Sequence, residues 1–155
     1  MVRLSDLPEY EREHLLDKNG PPLGPPRFHR SDKPLGDMRV ALITTAGLHF
    51  RDDAAFHVVD SGFRPIPAEA DTGDLVMSHS SVNFDKSGFA ADVELVLPLR
   101  RLHELAAQGV VGSVADLHFS FMGAGLEPAA YADSAAQVAG LLQADAVDAV
   151  FLTPV

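Results

Sequence analysis

RVALITTAGL, Arg39–Leu48, sets five apolar residues between Val40 and Ala46, interrupted only by Thr44 and Thr45. Gly36-Asp37 precedes the run and Gly47 closes it. A short segment that is apolar on both faces and bounded by turn residues is the pattern of a strand buried in a parallel sheet. Working outward, DLVMSHSS at 74–81 reads as a second strand, entered after Thr72-Gly73. PLRRLHELAAQ at 98–108 predicts a helix, with Pro98 in its first turn, Leu99, Leu102, Leu105 and Ala106 on one stripe, and Gly109 as the stop. SVADLHFSF at 113–121 is extended, and PAAYADSAAQVAGLLQ at 128–143 is a helix turning Ala135, Val138, Leu141 and Leu142 inward. DAVDAVFLTPV, 145–155, predicts a buried closing strand. Strands alternating with helices imply an α/β fold, a mostly parallel sheet with helices packed on it, in the manner of half a Rossmann domain.

The start of the chain differs in composition. DLPEYEREHLLD, 6–17, predicts a short amphipathic helix capped by Asp6, with Pro8 in the first turn and Asn19-Gly20 at its end. Leu7, Tyr10, His14 and Leu15 share a face that needs somewhere to dock. NGPPLGPPR, 19–27, follows as a stiff, extended connector. The expected organisation is therefore an N-terminal helical arm and linker over 1–36, then an α/β domain over 37–155.

The charge balance, 12 Lys plus Arg against 22 Asp plus Glu, gives −10. It argues against nucleic acid or an anionic membrane surface as partner. With no cysteine among the 155 residues, disulfides, thiolate metal sites and a cysteine nucleophile are excluded within them. No apolar run approaches the ~18 residues of a membrane span, and the basic-then-apolar layout of a signal peptide is missing. The reading is a soluble, cytoplasmic protein.

In open α/β sheets ligands bind beyond the carboxyl ends of the strands, so the segments leaving those ends carry the functional expectation. TTAGLHFRDD offers Thr44, Thr45, Gly47 and His49, then Asp52 and Asp53. SHSSVNFD, 78–85, holds Ser78, His79, Ser80, Ser81, Asn83 and Asp85. LHFSFMGAG, 117–125, holds His118, Ser120, Met122, Gly123 and Gly125. Hydroxyls, imidazoles and glycines gathered in this way suit a small polar or carboxylate ligand.

Each group also has a plain structural reading. Threonine is β-favouring, His49, His79 and His118 can be hydrogen-bonded core or loop histidines, and the glycines can simply turn the chain. His14, His29 and His103 read as solvated. His49, His79, His118 and Asp85 could be drawn into a mixed metal site, although no pair has the close spacing of a helix-borne motif. Ser78–Ser81 lack the flanking glycines of a nucleophile elbow, and there is neither a dinucleotide fingerprint nor a phosphate-loop lysine.

VALITTAGLHFRDDAAFHVVDSGFRPIP, then SHSSVNFD, then DVELVLPLRRLHELAAQGVVGSVADLHFSFMG resemble the N-terminal half of the selenoprotein B family. The likeness runs in order from about Val40 to Val155. One departure is Ser81-Val82, where a histidine–tyrosine-like pair is expected. The resemblance implies the substrate-binding component of glycine, sarcosine, betaine and D-proline reductases. In them a selenolate or low-pKa thiolate attacks the carbon bearing the amino group and cleaves the C–N bond.

It further implies that a strand like DAVFLTPV leads straight into that redox residue. The expectation is a selenocysteine or cysteine directly after Val155, no cofactor within the chain, and a domain incomplete at the redox site, its selenocysteine codon taken as a stop. Expected partners are a small amine or amino-acid substrate, other components of the reductase complex and a second copy in a homo-oligomer. The residues assigned to the cradle are His49, His79 and His118 for proton transfer, and Thr44, Thr45, Ser78, Asp85, Ser120 and Gly123 for the substrate. Two alternatives stand beside this: a naturally short binding or split-enzyme subunit, and a histidine-based metal-dependent enzyme.

Overall fold

The computed structural model describes residues 3–17, 31–81 and 86–155. The connector at 19–27, His29, Val82, Asn83 and Asp85 lie outside the described residues. The chain divides into two units, 1–32 and 33–155. In the first, helix α1 spans Glu9–Leu16, and Pro8 occupies its N-cap without a side-chain bond. Asp6 does not cap this helix: it ends a separate 3-10 turn and accepts the Arg3 N–H at 3.0 Å. No residue of α1 is buried.

The second unit is built on β1 (Arg39–Thr44). One edge of β1 is shared by β5 (Ser113–Val114), which pairs with Arg39 and Val40, and β6 (Leu117–Phe121), which pairs with Ile43 and Thr44. The other edge carries β7 (Ala149–Thr153), in register from Val40 to Thr44. All three pairings are parallel, as the apolar run of β1 leads one to expect. β3 (Phe63–Pro67) lines the outer edge of β6 antiparallel. The sequence reading did not anticipate β3, because Pro65 and Pro67 look like loop residues; proline is tolerated in such an edge strand. A small separate sheet pairs β2 (Leu48–Phe50) with β4 (Leu75–Met77), antiparallel.

Alternation along β1 divides the core in two. Val40 and Leu42 belong to a cluster with Ile66, Leu97, Val111 and the buried face of α3 (Leu99–Ala107), which contributes Leu99 and Leu102. Ile43 joins Phe119, Phe121 and Phe63 beneath α4 (Ala132–Ala144). α4 buries Val138 and half-buries Leu142, but Ala135 and Leu141 are exposed, against the sequence expectation. Alanine and glycine supply six of the 13 residues of this helix, and such small side chains suit either face, so periodicity leaves its orientation undetermined.

Three further expectations change. The second strand stops at Met77; beyond it the run is polar, and the His79 ring accepts the Ser81 N–H two residues on, a local bond that competes with a strand ladder. β7 is not buried: Val150, Phe151 and Leu152 are exposed. His103, read as solvated, bonds the Ala68 carbonyl oxygen at 2.9 Å. Among the described residues no helix is long and apolar enough to cross a membrane.

Candidate functional site

The carboxyl ends of β1 and β6 meet beside the segment that leaves β4. Gly47, at φ +65°, makes the turn from β1 into β2, its N–H bonded to the Phe121 carbonyl and its own carbonyl to the Ser78 N–H. A Cβ at Gly47 would lie 3.2 Å from the His79 nitrogen, a tight contact that adds to the strain a side chain would meet at this positive φ, and both favour glycine. Gly123 packs likewise on Thr45: an added Cβ would come within 2.5 Å of the Thr45 Cβ. The Gly123 N–H donates to the Thr45 carbonyl at 3.0 Å.

Two groups of side chains occupy this junction. The first is a pair, His49 with Ser78. His49 Nδ1 lies 2.7 Å from the Phe50 carbonyl oxygen, which can only accept, so Nδ1 carries the proton. Nε2 is then an acceptor, and the Ser78 hydroxyl donates to it at 2.7 Å. His49 is buried, with its ring edge-on to Phe56, and Ser78 is half-buried. The serine proton points at the ring, so the lone pairs of Oγ remain available to an incoming donor.

The second group is hydroxyl-rich. Thr45 Oγ1 accepts the Val155 N–H at 2.8 Å, and the Thr153 hydroxyl donates to the Val96 carbonyl at 2.7 Å. Thr44 is fully buried, and its Oγ1 accepts the Ala46 N–H at 3.2 Å. The Thr45 hydroxyl thus ties the end of β7 to the end of β1, and the Thr153 hydroxyl ties it to the segment that leads into α3. Neither Thr153 nor Lys86 was singled out from the sequence. Lys86 Nζ donates to the His79 carbonyl oxygen at 2.5 Å, and its position as the cation directly after SHSSVNFD was the available signal. His79 is buried, its Nδ1 accepts the Ser81 N–H at 3.2 Å, and burial, aided by the Lys86 charge, lowers its pKa. The Ser80 hydroxyl lies 3.9 Å from Met122 Sδ, which links this segment to the end of β6.

His118 and Ser120 are placed differently. Both are fully buried on β6, facing β1. Between β5 and β6 the ladder is interrupted, and His118 Nδ1 fills the gap by accepting the Leu42 N–H at 2.9 Å. Ser120 Oγ accepts the Leu48 N–H at 2.7 Å. Each side chain supplies a backbone donor that would otherwise be stranded in the core. Burial pushes the His118 pKa down to about 4, so the ring is neutral at pH 7 with its proton on Nε2.

The structure therefore brings His49, Ser78, His79, Thr45 and Gly123 to one junction and keeps His118 and Ser120 within the sheet. Among the described residues there is no group of three or more His, Cys, Asp or Glu able to hold a metal ion.

The model of the glycine/sarcosine/betaine reductase selenoprotein B family matches residues 32–155. The D-proline reductase subunit gamma of Acetoanaerobium sticklandii is 33% identical over 131 residues, which cover 83% of this chain and 53% of that protein. The chain thus spans about half the length of this curated relative. No solved structure matches it. With a family match over the whole α/β unit, this chain belongs to the glycine/sarcosine/betaine reductase selenoprotein B family.

Proposed function

We propose that the chain supplies the substrate cradle of a reductase that cleaves the C–N bond of a small amine or amino acid, in the manner of the glycine, sarcosine and betaine reductases. Family membership supports the reaction class. The observation that carries the reading is the Ser78 hydroxyl donating to His49 Nε2 at 2.7 Å, beside the carboxyl ends of β1 and β6. That serine oxygen can accept an N–H from the ammonium group of glycine or sarcosine, whereas the quaternary nitrogen of betaine has none to give. His49, fixed by the Phe50 carbonyl, keeps the serine rotor aimed. A positioned acceptor holds the amine protonated, the form in which it departs as a neutral molecule.

In the proposed step a selenolate or thiolate attacks the carbon bearing the ammonium group. A carbon–selenium or carbon–sulfur bond forms as the C–N bond breaks, and the C–N electron pair leaves with the nitrogen. The 155 residues contain no cysteine, so the nucleophile has to reach the junction from outside them. Thr45 and Gly123, with the neutral His79 nearby, would line its approach, and Asp85 stays among the proposed substrate contacts. His118 and Ser120 act as positioning residues, by holding β1 and β2 against β6.

Titration of the purified chain with glycine, sarcosine and betaine, followed by isotope-edited NMR of the histidine rings, tests the cradle. Glycine or sarcosine should shift the His49 resonances. Ser78→Ala should weaken that binding by about tenfold, the value of one hydrogen bond to a charged group. Absence of binding by both glycine and sarcosine, or equal binding of them by Ser78→Ala, overturns the reading; betaine, which has no N–H, serves as the ligand whose binding the substitution leaves unchanged.

A further inference from the structure

We propose that β7 is an interior strand of the working sheet, completed by a parallel strand from a polypeptide equivalent to the part of the D-proline reductase subunit gamma that lies outside the region matched here. The inference rests on the sheet and the family relation and is independent of the cradle.

β7 pairs with β1 alone among the described strands. The Thr45 N–H donates to the Thr153 carbonyl, so by alternation the backbone groups of Ala149, Phe151 and Thr153 face β1, and those of Val150 and Leu152 face outward. The side chains are equally unpartnered. Val150 is 38% exposed, Phe151 53% and Leu152 63%. In register, Phe151 stands beside Leu42 on the α3 face, whereas Val150 and Leu152 stand beside Ala41 and Ile43 on the α4 face. A strand apolar on both faces is what the middle of a parallel sheet requires.

Edge strands in natural proteins are blunted by lysine, proline, bulges or short length. AVFLT has no lysine, no proline and no interruption of register along its five residues. An apolar groove of about 420 Å³ lies on the α3 face between Leu42, Leu102, Leu105, Val111, Ala149 and Phe151, ready for covering side chains.

The occupant follows from length and charge. The D-proline reductase subunit gamma is matched over 53% of its length, which leaves a stretch of comparable size in that protein. Such a stretch is ample for a crossover of a dozen or more residues and a parallel strand. A second copy is the weaker fit, since each carries a net charge of −10 and a two-fold pairing would run β7 antiparallel to itself.

The test uses the 155-residue chain together with a separately encoded polypeptide, the portion of the D-proline reductase subunit gamma outside the matched region. Alone, the chain should sediment as a monomer, with rapid amide exchange at Val150 and Leu152 and slow exchange at Phe151. Co-expression should yield a one-to-one complex in which exchange at Val150 and Leu152 slows by roughly tenfold or more. Leu152→Lys should abolish the complex while leaving the melting temperature of the isolated chain unchanged. A homodimer dissolved by Leu152→Lys, slow exchange at Val150 and Leu152 in the isolated chain, or no complex with the added polypeptide would each overturn the proposal.

Discussion

At one margin of the sheet, β3 alternates exposed Pro65 and Pro67 with buried Ile66, and Arg64 lies over the Phe56 ring at 4.3 Å while pairing with Asp60 at 3.0 Å. At the other margin, β7 presents Val150, Phe151 and Leu152 with no proline, no cation and no covering loop among the described residues. The first margin is finished in the way sheets usually end: donors removed by proline, a guanidinium over an aromatic ring, one large aliphatic turned inward. The second is built like the middle of a sheet. The junction that gathers His49, Ser78 and Gly123 lies at the carboxyl end of this open strand, where Thr45 holds Val155. A polypeptide completing the sheet on that side would bring its own strand end close to His49, Ser78 and Thr45.

The contrast is broken most directly by comparing Ile66→Ala with Leu152→Ala in chemical denaturation. Ile66 is fully buried, so its truncation should cost about 2–4 kcal/mol, as large-to-small core changes do. Leu152 is mostly exposed, and its truncation should stay within about 0.5 kcal/mol. Equal losses at the two positions would mean that β7 is already covered.

A somewhat smaller effect sharpens the account of the closed side. The folded-state pKa of His118, about 4, lies below the ordinary 6.5, so between these values the unfolded chain holds the extra proton. The stability linked to His118 is therefore complete above about pH 6.5 and is lost as pH falls toward 4, by up to about 3 kcal/mol. Denaturation midpoints followed from pH 7 to pH 4 should fall, and His118→Asn should flatten the portion of the curve that this ring contributes. A curve of unchanged steepness in that variant would remove His118 from its place in the ladder.

These comparisons also separate what the sequence could reveal from what it could not. β1 was legible because five apolar residues bounded by glycines have few other uses, and α3 because Pro98, a leucine stripe and Gly109 agree. β3 was hidden by its prolines, which mark loops far more often than edges. The apolarity of β7 was read correctly, but hydrophobicity reports the surroundings a strand is suited to, not the neighbours it has.

The site was only partly readable. His49 and Ser78 are 29 residues apart, and nothing in their spacing announces the hydrogen bond. His118 carries the same chemistry as His49 on paper. It serves the sheet because its Nδ1 falls opposite the one β1 amide that the break between β5 and β6 leaves open.

The central claim is that this chain contributes the cradle and that the redox atom arrives from elsewhere. It is tested most directly by incubating the purified 155-residue protein with glycine, sarcosine or betaine and excess dithiol, and measuring the released amine. The account predicts no release above the protein-free control. Sustained, protein-dependent release of ammonia, methylamine or trimethylamine by these residues alone would contradict it.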